Sequence, residues 1–182
     1  MKTENLKANQ QQDKQNRALR APRDSGDAGN GEMPTLMSHA TAGARALRYF
    51  VSAAELESIG NACLRSEDGE FYRATLARLG ELVDTMPGTY ETDGQGDSAV
   101  AYLHYFSPAY DWYIVERDCE EEQHQAFGLA CLHDDELGYI SIHELLECGA
   151  ELDLHWETKT LAKIKAERAM SNTNYVGHPM HY

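Results

Sequence analysis

The chain has 182 residues with 30 acidic and 16 basic side chains, which gives a formal net charge of -14. Affinity for nucleic acid comes mainly from Lys and Arg that displace counterions from phosphates, and this chain has no such excess. The charge therefore argues against direct binding to nucleic acid or to an anionic membrane. The hydrophobic fraction of 42% is ordinary, and no apolar run reaches the roughly 20 residues of a membrane helix.

Cysteine usage and the N-terminus indicate the compartment. Four cysteines are too few to build a disulfide scaffold in a chain of this length, and the N-terminus lacks the apolar core of a secretion signal. We therefore expect a cytoplasmic protein with reduced thiols. We also expect no cofactor, because Gly94-Gln95-Gly96 lacks the Lys and the helix start of a phosphate-binding loop.

Composition divides the chain into three parts. Residues 1–35 are mostly polar and contain few large aliphatic side chains, so they cannot offset the entropy of ordering and are predicted to form a disordered tail. Residues 171–182 contain Asn, Gly and Pro and are predicted to be a second flexible tail. Residues 36–170 remain, and they are enough for one domain with its own core.

Two helices are predicted before the middle of the chain. Ser52 followed by Glu55 forms a capping box, which predicts a helix from about Ala53 to Leu64. Apolar residues then recur at spacings of four and three from Tyr72 to Met86, which is the stripe of an amphipathic helix that ends before a proline.

The second half changes to β-branched and aromatic residues, which favour strands. Short connections favour antiparallel neighbours, and a second capping box at Ser141 and Glu144 predicts a short helix that closes near Gly149. The fold class is therefore α+β: a small antiparallel β-meander sheet with N-terminal helices and a C-terminal helix, in a single domain. The predicted strands are 99–106, 111–117, 126–132, 137–140 and 153–156, and the final helix is predicted over 160–170.

One run has a specific register: Glu136-Leu137-Gly138-Tyr139-Ile140-Ser141 combines an acid, a turn glycine, an aromatic residue and a capping serine. Together with the flanking motifs, this run resembles the bacterial family catalogued as domain of unknown function 2958. Members of that family are commonly carried by plasmids, integrative elements and phages, which implies an accessory role for a mobile element and no particular reaction. The flanking motifs are Phe106-Ser107-Pro108, Trp112, Phe127-Gly128-Leu129, Glu144-Leu145 and Asp153-Leu154-His155-Trp156-Glu157.

Four residues near one hairpin are of the types that bind zinc: Cys119, His124, Cys131 and His133. Structural zinc sites usually begin with a close pair of ligands, and these residues have no such pair. A metal-binding module therefore remains an alternative only if the four side chains converge.

A small hydrolase is the second alternative. Its groove would need His104, His143 and His155 to converge in one cleft. Ser141, His143 and Glu144 are too close in sequence to form a triad, and Ser141 is better explained as a helix cap. The sequence therefore identifies no catalytic residue.

An acidic cluster is the most informative local feature. Such clustering costs stability through repulsion, and a solvated loop that aids solubility would explain it. The alternative is a surface that binds a protein partner with a basic surface, in which carboxylates stand in for phosphates, as in inhibitors of host defence nucleases. The predicted partner-binding residues are Glu116, Asp118, Glu120, Glu121, Glu122, Asp134, Asp135 and Glu136.

Overall fold

A computed structural model of the chain describes residues 35–175, with side chains through residue 171. The predicted tails lie outside the described part, apart from Thr35 and residues 171–175. The described residues belong to one compact unit. Its helices are α1 (Leu36–Ala46), α2 (Ala53–Arg65), α3 (Gly69–Thr85), α4 (Ile142–Glu147) and α5 (Leu161–Tyr175). Its strands are β1 (Val100–Ala101), β2 (Leu103–Phe106), β3 (Asp111–Glu116), β4 (Ala126–Cys131), β5 (Asp135–Ile140), β6 (Glu151–Leu152) and β7 (Lys159–Thr160).

The two predicted N-terminal helices are confirmed. The Ser52 hydroxyl accepts the Glu55 N–H at 3.1 Å and begins α2. Helix α3 buries Leu76, Leu79 and Val83, which belong to the predicted apolar stripe. Both helices are therefore held mainly by the apolar face that each one buries.

Helix α1 is not predicted by the sequence pattern. Thr35 caps it by accepting the Ser38 N–H, and its inward face consists of small residues such as Ala40 and Gly43. A Cβ built on Gly80 of α3 would lie 2.3 Å from the Gly43 Cα, so the two helix backbones are in contact there. A face of small residues has no apolar stripe, which explains why periodicity does not reveal this helix.

The main sheet has five strands in the order β5-β4-β3-β2-β6, all antiparallel. Strands β2 to β5 are consecutive neighbours, so the predicted meander and the predicted α+β class are confirmed. The register of β3 against β4 shifts between Ile114 and Glu116, which is a β-bulge or a similar irregularity.

The predicted strand 99–106 is divided. Its first part is β1, which pairs with β7 in a separate two-stranded sheet, and its second part is β2. The division falls at Tyr102, whose N–H donates to the Ile114 carbonyl at 2.7 Å.

The predicted strand 153–156 is wrong. The Asp153 N–H bonds to the His104 carbonyl, and then the chain turns. The Arg78 guanidinium of α3 donates to the carbonyls of Leu154 and Trp156 at 2.6 and 2.8 Å. These carbonyls are therefore satisfied by a side chain from outside the sheet and need no strand partner.

Both faces of the main sheet are covered. One face packs against α1, α2 and α3 through residues such as Leu103, Tyr105 and Ile114. The other face carries Tyr113 and Leu129, which pack against β1 and α5. Helix α5 extends to Tyr175 rather than ending at the predicted Met170.

Candidate interaction surface

The loop between β3 and β4 contains the first group of predicted acidic residues. The Asp118 carboxylate accepts the N–H groups of Glu120 and Gln125, both at 3.1 Å. The buried Gln123 accepts the Asp118 N–H at 3.0 Å and has a positive φ of 52°. Asp118 therefore closes the loop and contributes less to the outer surface than the sequence predicts.

Glu121 is bound by its own chain. Its carboxylate accepts the Tyr49 hydroxyl at 2.8 Å and lies 3.2 Å from the Arg48 guanidinium. The Tyr49 hydrogen bond, together with the Arg48 charge, lowers the pKa of Glu121. Glu120 and Glu122 remain exposed, and Glu122 lies 3.3 Å from His124.

A cavity of about 420 Å³ lies behind this loop. Arg45, Arg48 and Arg117 line it together with Glu120 and Glu121. Asp84 also lines it, so three arginines and three carboxylates meet in this cavity.

The second acidic group lies at the opposite end of the sheet. The register aligns Asp111 with Cys131 and Cys131 with Asp135, whereas Glu116 aligns with Phe127 at the other end. On β4, Cys131 lies four residues after Phe127, which corresponds to roughly 13 Å along the strand. The predicted acidic surface is therefore two clusters, and the second has exposed Asp134 and Glu136 while Asp135 lies 3.5 Å from Arg168.

Glu116 does not belong to the acidic surface, so this prediction is wrong. Its side chain is buried with 3% of the residue exposed. The carboxylate accepts the N–H groups of Tyr90 and Thr92 at 2.8 and 2.7 Å, and it also accepts the Thr92 hydroxyl. Glu116 therefore holds the loop that follows Pro87, because these bonds satisfy its charge away from water.

An aromatic groove near β5 is the feature that the sequence analysis did not identify. Its cavity measures about 240 Å³ and is lined by Tyr90, Phe127, Leu137 and Tyr139, with Glu116 also contributing to the lining. The Tyr139 ring meets the rings of Tyr90 and Phe127 edge to face, with centroids 6.5 and 5.7 Å apart. A hydrogen bond with Tyr90 raises the pKa of Tyr139.

The alternation of Leu137 and Tyr139 in the sequence is the signal that could have indicated this groove, since residues two apart share a face of a strand. The contribution of Tyr90 has no such signal, because it comes from a loop brought over the sheet by Glu116.

The three histidines of the hydrolase alternative lie in different surroundings. His104 stacks on Tyr113 at 4.6 Å, and its two ring nitrogens lie 3.0 and 3.1 Å from Asp111 and Asp153. His143 contacts His124, and His155 stacks on Phe71. The structure therefore does not form the predicted histidine-lined groove.

His104 is the centre of a charged network. Each ring nitrogen has one carboxylate oxygen within hydrogen-bond distance. Arg168 donates to the other oxygen of Asp111 at 2.7 Å. Burial raises the pKa of the neighbouring Tyr113 to about 12. These contacts link β2 and β3 to the turn after β6 and to α5, which is a structural role.

The four candidate metal ligands are also separated. Cys119 and His124 lie in the loop before β4, whereas Cys131 and His133 lie at its far end. Burial, followed by a hydrogen bond with Asp135, raises the pKa of Cys131 to about 12, which disfavours the thiolate that a metal requires. Within residues 35–175, no group of three or more His, Cys, Asp or Glu side chains could hold a metal ion.

Helices that could cross a bilayer are also absent from residues 35–175, since none combines the length and the apolar character that a crossing needs. All four cysteines, which lie in this part of the chain, are free. Comparisons with protein-family models, with curated proteins and with solved structures found no match for the chain.

Proposed function

We propose that this protein is a non-enzymatic cytoplasmic accessory protein of a mobile genetic element that binds a basic, nucleic-acid-handling protein of the host or of the element. Inhibition of a host defence nuclease by imitation of nucleic acid is the activity that fits this role. The mobile-element setting rests on the sequence resemblance around Glu136–Ser141, and the type of partner rests on charge.

One observation carries the proposal: the acidic excess is not neutralised within the domain. From Asp118 to Thr158 the sequence has twelve acidic side chains and no Lys or Arg. The basic side chains elsewhere in residues 35–175 are largely occupied by internal contacts. Those bound to carboxylates are Arg48, Lys159, Lys163, Lys165 and Arg168, and those bound to backbone carbonyls are Arg73, Arg78 and Arg117.

Four of the exposed carboxylates in this stretch are spaced along the sheet. Glu120 and Glu122 lie at one end, and Asp134 and Glu136 lie at the other, roughly 13 Å of strand away. Separated negative charges on a rigid sheet present a basic partner with a field that speeds association. These two clusters form the proposed binding surface.

The experiment starts from the full chain immobilised and exposed to host lysate, with the captured protein identified and then purified. Binding of that purified partner is measured against salt concentration for two sets of variants. The first set neutralises the two clusters: Glu120→Gln, Glu122→Gln, Asp134→Asn and Glu136→Gln. The control set removes the same number of charges from exposed positions on α2, on α3 and in the turn between them: Glu57→Gln, Glu67→Gln, Glu70→Gln and Glu81→Gln.

We expect the cluster variants to weaken binding about tenfold or more, because each decade corresponds to about 1.4 kcal/mol and several charge pairs are lost. The control set should change affinity far less. Equal effects from the two sets would show that only net charge matters, and an affinity independent of salt would contradict the proposal.

A further inference from the structure

We infer that the free edge of β5 and the aromatic groove beside it bind an extended, basic segment of the partner protein, which adds to the sheet as a further strand. This inference rests on the proposed function. It identifies the part of the surface that would distinguish the partner from other basic proteins.

The first observation is the open edge. Strand β5 pairs with β4 on one side, and within residues 35–175 no strand pairs with its other side. Its six residues are mostly exposed, from Asp135 to Tyr139. The opposite edge strand, β6, has only two residues and leads into a turn fixed by Arg78. An exposed strand edge presents unpaired backbone groups that a second chain can use.

The second observation is the groove on the same strand. Leu137 is 42% exposed and Tyr139 is 56% exposed, although both are large apolar residues on the face that is covered by α5 elsewhere. With Tyr90 and Phe127 they line the cavity of about 240 Å³, which has room for one large side chain of a docked segment. Peptides that add to a sheet gain affinity from backbone hydrogen bonds and specificity from such side-chain pockets.

The third observation is the placement of Tyr90. This residue has a positive φ of 70° and is 70% exposed. A tyrosine in this backbone region is strained, and the strain is maintained because the buried Glu116 carboxylate accepts the Tyr90 N–H. The result is a solvent-exposed ring that meets Tyr139 edge to face, with centroids 6.5 Å apart.

The acidic residues around β5 favour a docked segment that is basic. Asp134 and Glu136 lie beside the beginning of β5, Asp93 lines the groove, and Glu144 follows the end of the strand. Two basic side chains of α5 are already paired: Lys165 with Asp97, and Arg168 with Asp111 and Asp135. A segment that alternates basic and apolar residues therefore complements this edge, whereas a second copy of this acidic chain would bring like charges together.

The probe for the test is a fluorescein-labelled peptide of alternating lysine and valine with one central phenylalanine. Its binding to the full-length protein is measured by fluorescence polarisation at several salt concentrations. The matched control peptide has the same sequence and charge, but its alternate backbone nitrogens are methylated on the edge that would pair with β5. Amide hydrogen exchange of residues 136–140 is measured with and without each peptide.

We expect the unmodified peptide to protect β5 amides and to bind about tenfold more tightly than the methylated peptide, since the methylated edge cannot form the ladder. Tyr139→Ala should weaken binding by a similar factor, and its fold is checked by circular dichroism and urea unfolding. The matched control variant is Phe71→Ala, which removes a similarly exposed aromatic side chain from α3 and should not change peptide binding.

The alternative results separate this inference from the proposed function. If both peptides bind equally and only neutralisation of the acidic clusters weakens them, strand addition is overturned and the acidic-surface function survives. If neither peptide binds while the purified partner still binds in a salt-dependent way, the same conclusion holds. If size-exclusion chromatography shows a dimer that Tyr139→Ala dissociates, a second copy occupies the edge and the inference is wrong.

Discussion

Glu116 and Thr92 are joined by two hydrogen bonds in the interior of the protein: the Glu116 carboxylate accepts both the N–H and the hydroxyl of Thr92. The other carboxylate oxygen accepts the Tyr90 N–H at 2.8 Å. The sequence predicts that Glu116 faces a partner, but its buried carboxylate holds the loop that carries Tyr90.

We expect Glu116→Gln to lower the free energy of unfolding by about 1–3 kcal/mol, because an amide replaces one accepting oxygen with a donor that faces existing donors. Urea unfolding measures this change. The matched control is Glu120→Gln on the exposed loop, which should change stability by less than about 0.5 kcal/mol. An equally stable Glu116→Gln variant would show that the buried carboxylate does not hold the loop.

The contact between α1 and α3 predicts a second effect. Gly80→Ala should destabilise the protein by about 1–3 kcal/mol, because its Cβ would overlap the Gly43 Cα at 2.3 Å. Gly60→Ala is the control, since a Cβ there meets nothing within 4 Å in helix α2. That control should stabilise the protein by up to about 1 kcal/mol through helix propensity. Thermal unfolding measures the stability of both variants. If both lose stability, the close contact between α1 and α3 is not the cause of the effect of Gly80→Ala.

The bridging contacts of His104 predict a third effect. His104→Phe keeps an aromatic ring beside Tyr113 but removes the imidazole that both Asp111 and Asp153 contact. We expect a loss of about 1–3 kcal/mol in the free energy of unfolding. Adding Asp153→Asn should cost less in the His104→Phe background than in the parent protein, because the contact between Asp153 and His104 is already lost there.

The control for this cycle is His143→Phe, an exposed position whose change should be small. Additive effects of His104→Phe and Asp153→Asn would show that the two side chains are not coupled.

The contact of Glu121 with Tyr49 predicts a pH dependence. The folded-state pKa of Glu121 is lowered, chiefly by the Tyr49 hydrogen bond and the Arg48 charge, so this carboxyl binds its proton less readily than in the unfolded chain. Its contribution to stability is therefore fully present above the ordinary Glu pKa and is lost as the pH falls through the lowered value.

Side-chain NMR of Glu121 measures this titration. Tyr49→Phe should move the pKa of Glu121 upward toward the ordinary Glu range, since the hydrogen bond to the charged form is lost. The matched control is Tyr139→Phe, which lies away from Glu121. An unchanged Glu121 titration in Tyr49→Phe would contradict the contact.

Local patterns were sufficient for most of the helices and strands. The caps at Ser52 and Ser141 are confirmed, because a serine side chain that accepts an N–H three residues later needs only local geometry. The meander is confirmed because short connections leave few alternatives to antiparallel neighbours. Helix α1 and the turn at 153–156 depend instead on Gly80 and Arg78, which lie far away in the chain.

The sequence alone determined the acidic composition, the α+β class and the stretch from Asp118 to Thr158 that lacks any Lys or Arg. Only the tertiary structure decided which carboxylates face solvent: it buried Glu116, paired Glu121 with Arg48, and placed Asp134 and Glu136 at the far end of the sheet. The physical reason is that net charge adds up along a chain, whereas burial, ion pairing and strand register depend on which distant residues the fold brings together.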